Sequence, residues 1–311
     1  MQHQLTKGPL LDSKGHLIEA GYATHLIKDY RRSDIKVKGM RIKEWDYYYI
    51  GNTAYGCALT IADNDYLWLT SVTFFDFDAR TEHTSTQMGF FPRGKLNLPE
   101  TSEKGDISLE LKNHTIRIQL NQNTRKIQAV IQSFHQKETM LLDVSLVPSI
   151  KDSMVIATPF HKPTHFYYNQ KINLLKAKGT MTIGSKKYSM NDCYGVLDWG
   201  RGVWTYKNTW YWSSLSGVQN GNRIGFNLGY GFGDTDKATE NMLFFNDETH
   251  KFEDIIFDIP KNENHEDYMS PWRIHSQSKN IDLIFEPLLD RHSNASFIVL
   301  KSIQHQVFGY F

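Results

Sequence analysis

Asp192-Cys-Tyr-Gly-Val-Leu-Asp198-Trp199-Gly-Arg201-Gly-Val-Trp204-Thr-Tyr206-Lys-Asn-Thr-Trp210-Tyr-Trp212-Ser-Ser-Leu-Ser-Gly217 holds four of the chain's seven tryptophans. Read as strands, Trp204 and Tyr206 share one face, Lys207-Asn208 makes a turn, and Trp210 and Trp212 return with the same parity, which predicts an aromatic hairpin. The small residues Ser214, Ser216 and Gly217 leave room above it. Indole is large and amphipathic, so four so close together build either a thick core or the wall of a ligand cavity. The Gly200-Arg201-Gly202 unit permits a bulge or bend that aims Arg201 out of the strand plane. Asp192 and Asp198, six apart, share a face if no bulge intervenes. Two readings stand side by side: Asp198–Arg201 as a buried pair bracing a bend, or as charges at the floor or mouth of an aromatic cavity.

Outward from this stretch the pattern is short alternating runs. Ile107, Leu109 and Leu111, then Ile116, Ile118 and Leu120, then Met140, Leu142, Val144 and Leu146 ending at Pro148 alternate with polar partners. Ile224, Phe226, Leu228 and Tyr230 do the same, as do Ile255, Phe257 and Ile259 and later Ile281, Leu283 and Phe285. Gly, Asn, Asp or Pro mark most breaks, and helical spacing is nearly absent apart from short pieces at 24–31 and 237–241. Many short strands with little helix predict an all-β fold of two tandem antiparallel β-barrels. The order aromatic strand, small-residue strand, Phe-Phe strand occurs twice: Trp45 to Ile50, Tyr55 to Ala62 and Val72 to Phe75, then Thr209 to Trp212, Ile224 to Phe232 and Met242 to Phe245. That echo points to a duplicated barrel. The division is placed in the polar break at 148–153, giving domains of residues 1–150 and 151–311.

Composition narrows the partners. Lys+Arg is 35 against 34 for Asp+Glu, a formal charge of +1, which argues against nucleic acid and anionic membrane as partners. Aromatics at 13% of the chain favour strands. No run approaches the ~18 apolar residues of a spanning helix, and the first nine residues lack a signal-peptide pattern. Cys57 and Cys193 are far apart and read as free buried thiols, so a soluble, cytoplasmic protein is expected.

Other motifs weigh less. Residues 225–234, Gly-Phe-Asn-Leu-Gly-Tyr-Gly-Phe-Gly-Asp, alternate like a strand and lack the turn and helix of a nucleotide loop. Asp234, Asp236 and Glu240 lack calcium-loop spacing and read as solvated loop acids. Pro163 between His161 and His165 prevents a helical zinc face. Neither a metal nor a cofactor is expected, and no Gly-x-Ser-x-Gly elbow is present.

Several motifs are long enough to be specific: Arg41-Ile-Lys-Glu-Trp-Asp-Tyr47, Ala157-Thr-Pro-Phe160, Tyr167-Tyr-Asn-Gln-Lys171, Gly195-Val-Leu-Asp-Trp-Gly-Arg-Gly-Val-Trp204, Gly229-Tyr-Gly-Phe-Gly-Asp234 and Ala238-Thr-Glu-Asn-Met242. Together they resemble the family catalogued as domain of unknown function 2804, from Gly8 to Gly309. More distantly that family is similar to calycin-type proteins with two lipocalin-like barrels, among them carotenoid hydratases and tocopherol cyclase. The resemblance implies paired barrels and an apolar ligand. Family members continue past the segment matching 305–311 by about another hairpin, so a truncated C-terminus or a differently closed barrel is expected.

Binding of a lipophilic small molecule in an aromatic-lined barrel is the favoured function, with Arg201 meeting a polar head and Trp45, Tyr47, Trp199, Trp204, Tyr206, Trp210 and Trp212 lining the site. The alternative is an acid-catalysed hydratase, cyclase or isomerase on an isoprenoid or fatty substrate. There Asp198 or Asp192, protonated through burial, donates to an alkene, and the indoles steady a carbocation at ~1–2 kcal/mol each. Carbohydrate processing by paired carboxylates is a third reading and needs the two groups ~5–9 Å apart.

Overall fold

The period-2 runs become antiparallel strands along nearly the whole chain. A computed structural model describes residues 2–263, 265–278, 280–297 and 300–311. Its largest sheet follows the path Thr81–Phe90, Leu67–Asp76, Tyr55–Asp63, Ile42–Gly51, Tyr194–Val203, Phe166–Ile183, Glu138–Pro148, Thr124–His135, His114–Asn121, Ile107–Glu110. The sheet curls until its ends approach. There His114 bridges the gap, Nδ1 lying 2.8 Å from the Thr70 hydroxyl and Nε2 2.9 Å from that of Ser85. Alternate residues turn inward, so Tyr48, Leu59, Ile116, Ile127, Leu142 and Leu197 meet in one core. Leu10, Leu11, Tyr30 and Leu98, from connecting segments, fill it further.

The Phe166–Ile183 strand is the spine. Residues 166–171 pair with Met154–Pro159 and residues 175–183 with Glu138–Pro148, while Tyr194–Val203 runs along the other edge. Between these partners the register shifts after Ile172, and Leu174 adopts a φ of 56°. Ile172 and Leu175 therefore both face the core, and Asn173 and Leu174 project outward. Asn173 Nδ2 donates to Leu215 O and Phe226 O, each at 3.0 Å, which ties on the next sheet.

That second body is a meander of Tyr211–Gln219, Asn222–Tyr230, Met242–Phe245 and Glu248–Lys251, faced by a sheet ordered Ile256–Asp258, Trp272–His275, Asp282–Phe297, Leu300–Tyr310. Phe226, Leu228, Phe257 and Ile274 lie between them. The result is an all-β chain of two curled half-barrels, and the sequence echo corresponds to two three-stranded antiparallel meanders.

Some expectations change. The polar break at 148–153 is a turn inside the first sheet, which runs on to Val203; the connection leaving that sheet is 204–210. The aromatic stretch is not a hairpin, because both edges of Tyr194–Val203 are already taken by Ile42–Gly51 and Phe166–Ile183. The chain after Trp204 has no free edge to return along and starts a new sheet instead. Residues 24–31 and 237–241 are extended or bent; a 3-10 turn at Arg32–Asp34 is the one helical piece among the described residues. No described helix is long and apolar enough to cross a membrane. Cys57 and Cys193 are free and buried, and burial pushes both thiols up to about 12.

Burial holds the His114 imidazole below its ordinary range, so the fold carries it neutral. The unfolded chain, with an imidazole near ~6.5, binds the extra proton first, so stability is full above that value and falls as the pH drops below it. The melting temperature is expected to fall between pH 7.5 and pH 5, and His114→Gln to flatten part of that slope. Equal slopes for the two proteins in thermal melts would show that His114 does not carry this effect.

Candidate functional site

Central strands of the first sheet are covered on both faces, and their outward residues form the layer against the second body. Strand alternation selects Lys43, Trp45, Tyr47 and Tyr49 from one strand, Tyr167, Asn169 and Lys171 from the spine, and Val196, Asp198 and Gly200 from the strand between them. Gly200 sits opposite Trp45 in the ladder. A Cβ there would lie 2.0 Å from Trp45 Cζ2, so glycine is what lets the indole lie flat on the sheet.

Charge is concentrated in this layer. Lys171 Nζ lies 2.8 Å from Asp198 Oδ1, with the two side chains 0% and 6% exposed, so the pair is removed from solvent. Asn169 Nδ2 donates to the same oxygen at 2.7 Å and to Trp199 O at 2.8 Å. The ammonium also stands 4.5 and 4.6 Å from the ring centres of Trp210 and Trp212. Behind Trp210 is Glu240, which accepts from the indole Nε1 at 2.6 Å and from Asn227 Nδ2 at 3.1 Å. Trp212 Nε1 donates to Asn227 Oδ1 at 2.5 Å.

Burial raises the Glu240 carboxyl above its ordinary range; Lys171 and the bonds from Trp210 and Asn227 pull it back, and Asp198 pushes it up. Burial opposes ionisation of Glu240 beside the Lys171–Asp198 pair, and a second buried lysine, Lys251, interacts with the same carboxylate. Chemically, the arrangement is a buried acid next to a fixed charge pair under an aromatic cover. Tyr167 Oη, Asn169 Oδ1, Trp204 Nε1 and Asn241 Nδ2 are buried here without a hydrogen-bond partner among the described residues.

The structure divides the expected site residues among several places. Trp45, Tyr47, Asp198, Trp204, Trp210 and Trp212 belong to the layer. Trp199 and Arg201 point the other way, into the first core. Trp199 lies edge-on between Tyr30 and Tyr168, with ring centres 6.3 and 5.8 Å away. Arg201 donates to Trp45 O at 2.8 Å, Gly200 O at 2.9 Å, Pro99 O at 2.7 Å and Asp46 Oδ1 at 3.0 Å. Burial raises the Asp46 carboxyl, and Arg201 draws it down. Positions 198 and 201 are an odd number apart on an unbroken strand, since Gly200, Arg201 and Gly202 keep continuous register with Trp45, Glu44 and Lys43. An Asp198–Arg201 pair is therefore not formed, and each charge has its own partner. Asp192 lies exposed in the turn before the strand, and Tyr206 is 58% exposed beneath Arg41, so neither reaches the layer.

The indoles also pack on one another instead of enclosing a hollow. Trp45 stacks on Tyr167 at 5.9 Å and meets Trp204 at 5.1 Å. Phe232 fills the space between Trp204, Tyr167 and Trp210 at 4.7, 4.8 and 5.2 Å. Sequence reasoning missed Lys171 and took Glu240 for a solvated loop acid; it is 5% exposed. A signal was present for both. Lys171 closes the motif beginning at Tyr167, and Glu240 sits in the motif Ala238 to Met242, both among those carrying the family resemblance.

The second half-barrel is lined differently. Tyr211 stacks on Tyr230 at 4.9 Å, Tyr230 meets Phe257 at 5.6 Å, and Phe311 bridges Phe226 and Phe285 at 5.0 and 4.8 Å. Tyr211, Tyr230, Leu215 and Leu283 are only partly buried against this cluster.

Two curled antiparallel half-barrels around an aromatic layer define a two-barrel protein of the lipocalin-like, calycin type. The chain belongs to the family described as domain of unknown function (DUF2804), whose model matches residues 2–311. Among solved structures it is similar to kievitone hydratase from Nectria haematococca, with a TM-score of 0.51 and 15% identity over 80% of this chain and 77% of that one. It is likewise similar to a protein assigned as an AttH from Nitrosomonas europaea, with a TM-score of 0.55 and 13% identity over 82% and 83% of the two chains. At these identities the likeness is one of fold. No curated protein matches the chain.

Lys171→Met leaves Asp198 buried without its cation and is expected to cost roughly 3–5 kcal/mol in urea unfolding. Adding Asp198→Asn removes the stranded charge and should recover more than half of that loss. A double variant no more stable than Lys171→Met would refute the paired-charge account.

Proposed function

We propose that the protein binds a lipophilic small molecule inside the second half-barrel, against Tyr211, Tyr230, Phe257 and Phe285. The contrast between the two interiors carries this reading. The first is filled by its own side chains and by the plugging segments around Tyr30 and Leu98. The second is lined by aromatic rings that its own packing leaves partly uncovered. Barrel interiors gather one face of every strand around a single space, which suits an apolar guest. Buried, unpaired Cys57 and Cys193 support a reducing, cytoplasmic location.

Acid catalysis is the second reading, and Glu240 beside Lys171–Asp198 favours it. A protonated Glu240 would pass its proton to an alkene carbon, water would add to the resulting cation, and a proton from that water would restore the acid. Likeness to kievitone hydratase raises this reading only as far as fold allows. Against it, Lys171 already occupies the ring faces of Trp210 and Trp212 that would steady a carbocation. Binding is the better-supported function.

Titration with aminoanthracene, an apolar dye that brightens in dry cavities, tests the assignment. Tyr230→Ala is expected to weaken dye binding about tenfold or more, as loss of a buried ring predicts, while Trp204→Phe in the layer leaves it within about twofold. Native mass spectrometry of freshly purified protein should show a co-purifying lipophilic mass. The reverse order of effects in the titration would move the site to the layer.

A further inference from the structure

The second half-barrel has one polar end, and neither the buried layer nor the apolar lining accounts for it. On Leu300–Tyr310 the side chains of Gln306, Phe308 and Tyr310 face the first sheet. Gln306 Nε2 donates to Tyr47 Oη at 2.6 Å, Phe308 packs 4.3 Å from Phe75, and Tyr310 Oη donates to Thr53 O at 3.3 Å. Strand alternation therefore turns His305 to the opposite side, the side from which Phe311 reaches Phe226 and Phe285. His305 Nδ1 lies 2.7 Å from Asp290 Oδ2. The ring is stacked on Tyr268 at 4.0 Å and on the exposed His292 at 4.4 Å. Tyr268 in turn approaches Trp272 at 6.0 Å, and Trp272 meets Phe285 at 5.2 Å, so the imidazole adjoins the aromatic lining.

The pairing fixes what His305 offers. In the neutral ring a carboxylate on Nδ1 selects the tautomer with the proton there, which leaves Nε2 as a hydrogen-bond acceptor. Nε2 makes no hydrogen bond among the described residues. Beside the stacked His292, the charged groups around it are acidic: Asp290 holds the ring, and Glu266 accepts from Tyr268 Oη and, at 3.2 Å, from Tyr211 Oη. The guanidinium of Arg291 is engaged with Gln306 Oε1 at 2.9 Å, on the face toward the first sheet. An anionic head group meets two carboxylates here and a lone pair, while a neutral O–H meets an acceptor.

Building on the assignment of the second half-barrel as the binding chamber, we propose that His305 Nε2 receives the head group of the ligand. The ligand class is then a neutral hydroxylated lipophile, a phenol or an alcohol, in preference to a hydrocarbon or a fatty acid. Its apolar body lies along Phe285, Trp272 and Tyr230, and its hydroxyl donates to His305.

Displacement of bound aminoanthracene by para-nonylphenol, nonylbenzene and decanoate tests this. Wild-type protein is expected to prefer nonylphenol over nonylbenzene by about fivefold to tenfold, the worth of one neutral hydrogen bond, and to bind decanoate worst. His305→Phe should erase the preference without weakening nonylbenzene. His305→Gln, whose amide oxygen can accept, should keep part of it, and carries the test should His305→Phe not fold. Equal displacement by nonylphenol and nonylbenzene, or tightest binding of decanoate, overturns the head-group assignment while leaving the chamber in place. Failure of all three to displace the dye overturns both.

Discussion

The outward bulge at Asn173 and Leu174 makes the two halves one molecule. A strand that keeps its pleat from 166 to 183 would bury a single face throughout and present the second body with a regular surface. The two outward residues at the register shift instead offer an amide and a leucine to the neighbouring meander. Asn173 Nδ2 reaches Leu215 O, Phe226 O and the Ser214 hydroxyl at 3.0, 3.0 and 2.8 Å, and Leu174 N donates to Ser216 Oγ at 2.9 Å. These bonds lie in buried surroundings, where an unmade partner is costly, so the docking of the meander is specified by geometry and not by hydrophobicity alone. Gly225 completes the fit. A Cβ there would lie 2.9 Å from Leu174 Cγ.

Burying both faces of the central strands creates a second constraint, that of charge. Tyr194–Val203 and its neighbours place Asp46 and Arg201 on the inner face and Lys171 and Asp198 on the outer one, where Glu240 of the second body meets them. Each face must come near neutrality by itself, because the interior does not screen an unpaired charge. On the inner face Arg201 pairs with Asp46 and also binds three backbone carbonyls, while Glu44 pairs with Arg32. On the outer face the Lys171–Asp198 pair is joined by Glu240, whose carboxyl burial raises, and by the buried ammonium of Lys251. Two charges three residues apart thus belong to separate electrostatic systems.

Parity explains how much of this was legible from residues alone. Alternation in 107–111, 116–120, 140–146 and 224–230 gives strands directly, and the repeated aromatic, small and Phe-Phe order gives two meanders. Pairing was not legible. Whether Trp204 to Trp212 folds back on Tyr194–Val203 depends on which other strands take its edges, and those come from residues 42–51 and 166–183, far away in sequence. The site was half legible for the same reason. Asp198 and five of the aromatic residues emerge from local density, whereas Lys171 and Glu240 are brought in from segments distant in sequence. Counting parity along 198–201 alone would have separated Asp198 from Arg201; the glycines invited a bulge that the ladder does not contain.

The unequal interiors follow from what fills each. In the first half-barrel the connecting segments turn inward, and Arg201 fastens one of them by its bond to Pro99 O. An interior so occupied contributes cohesion through close packing. In the second half-barrel Ile255 and Ile281, from connecting segments, join the cluster, yet Tyr211 and Tyr230 keep part of their surface uncovered. A fold that stores its stability in one body can leave the other underfilled, and underfilled aromatic surface is where an added ligand gains free energy by burial. The proposed chamber lies away from the tryptophan layer for a reason of packing: the indoles pack between the two halves, while rings of the second body stay partly uncovered.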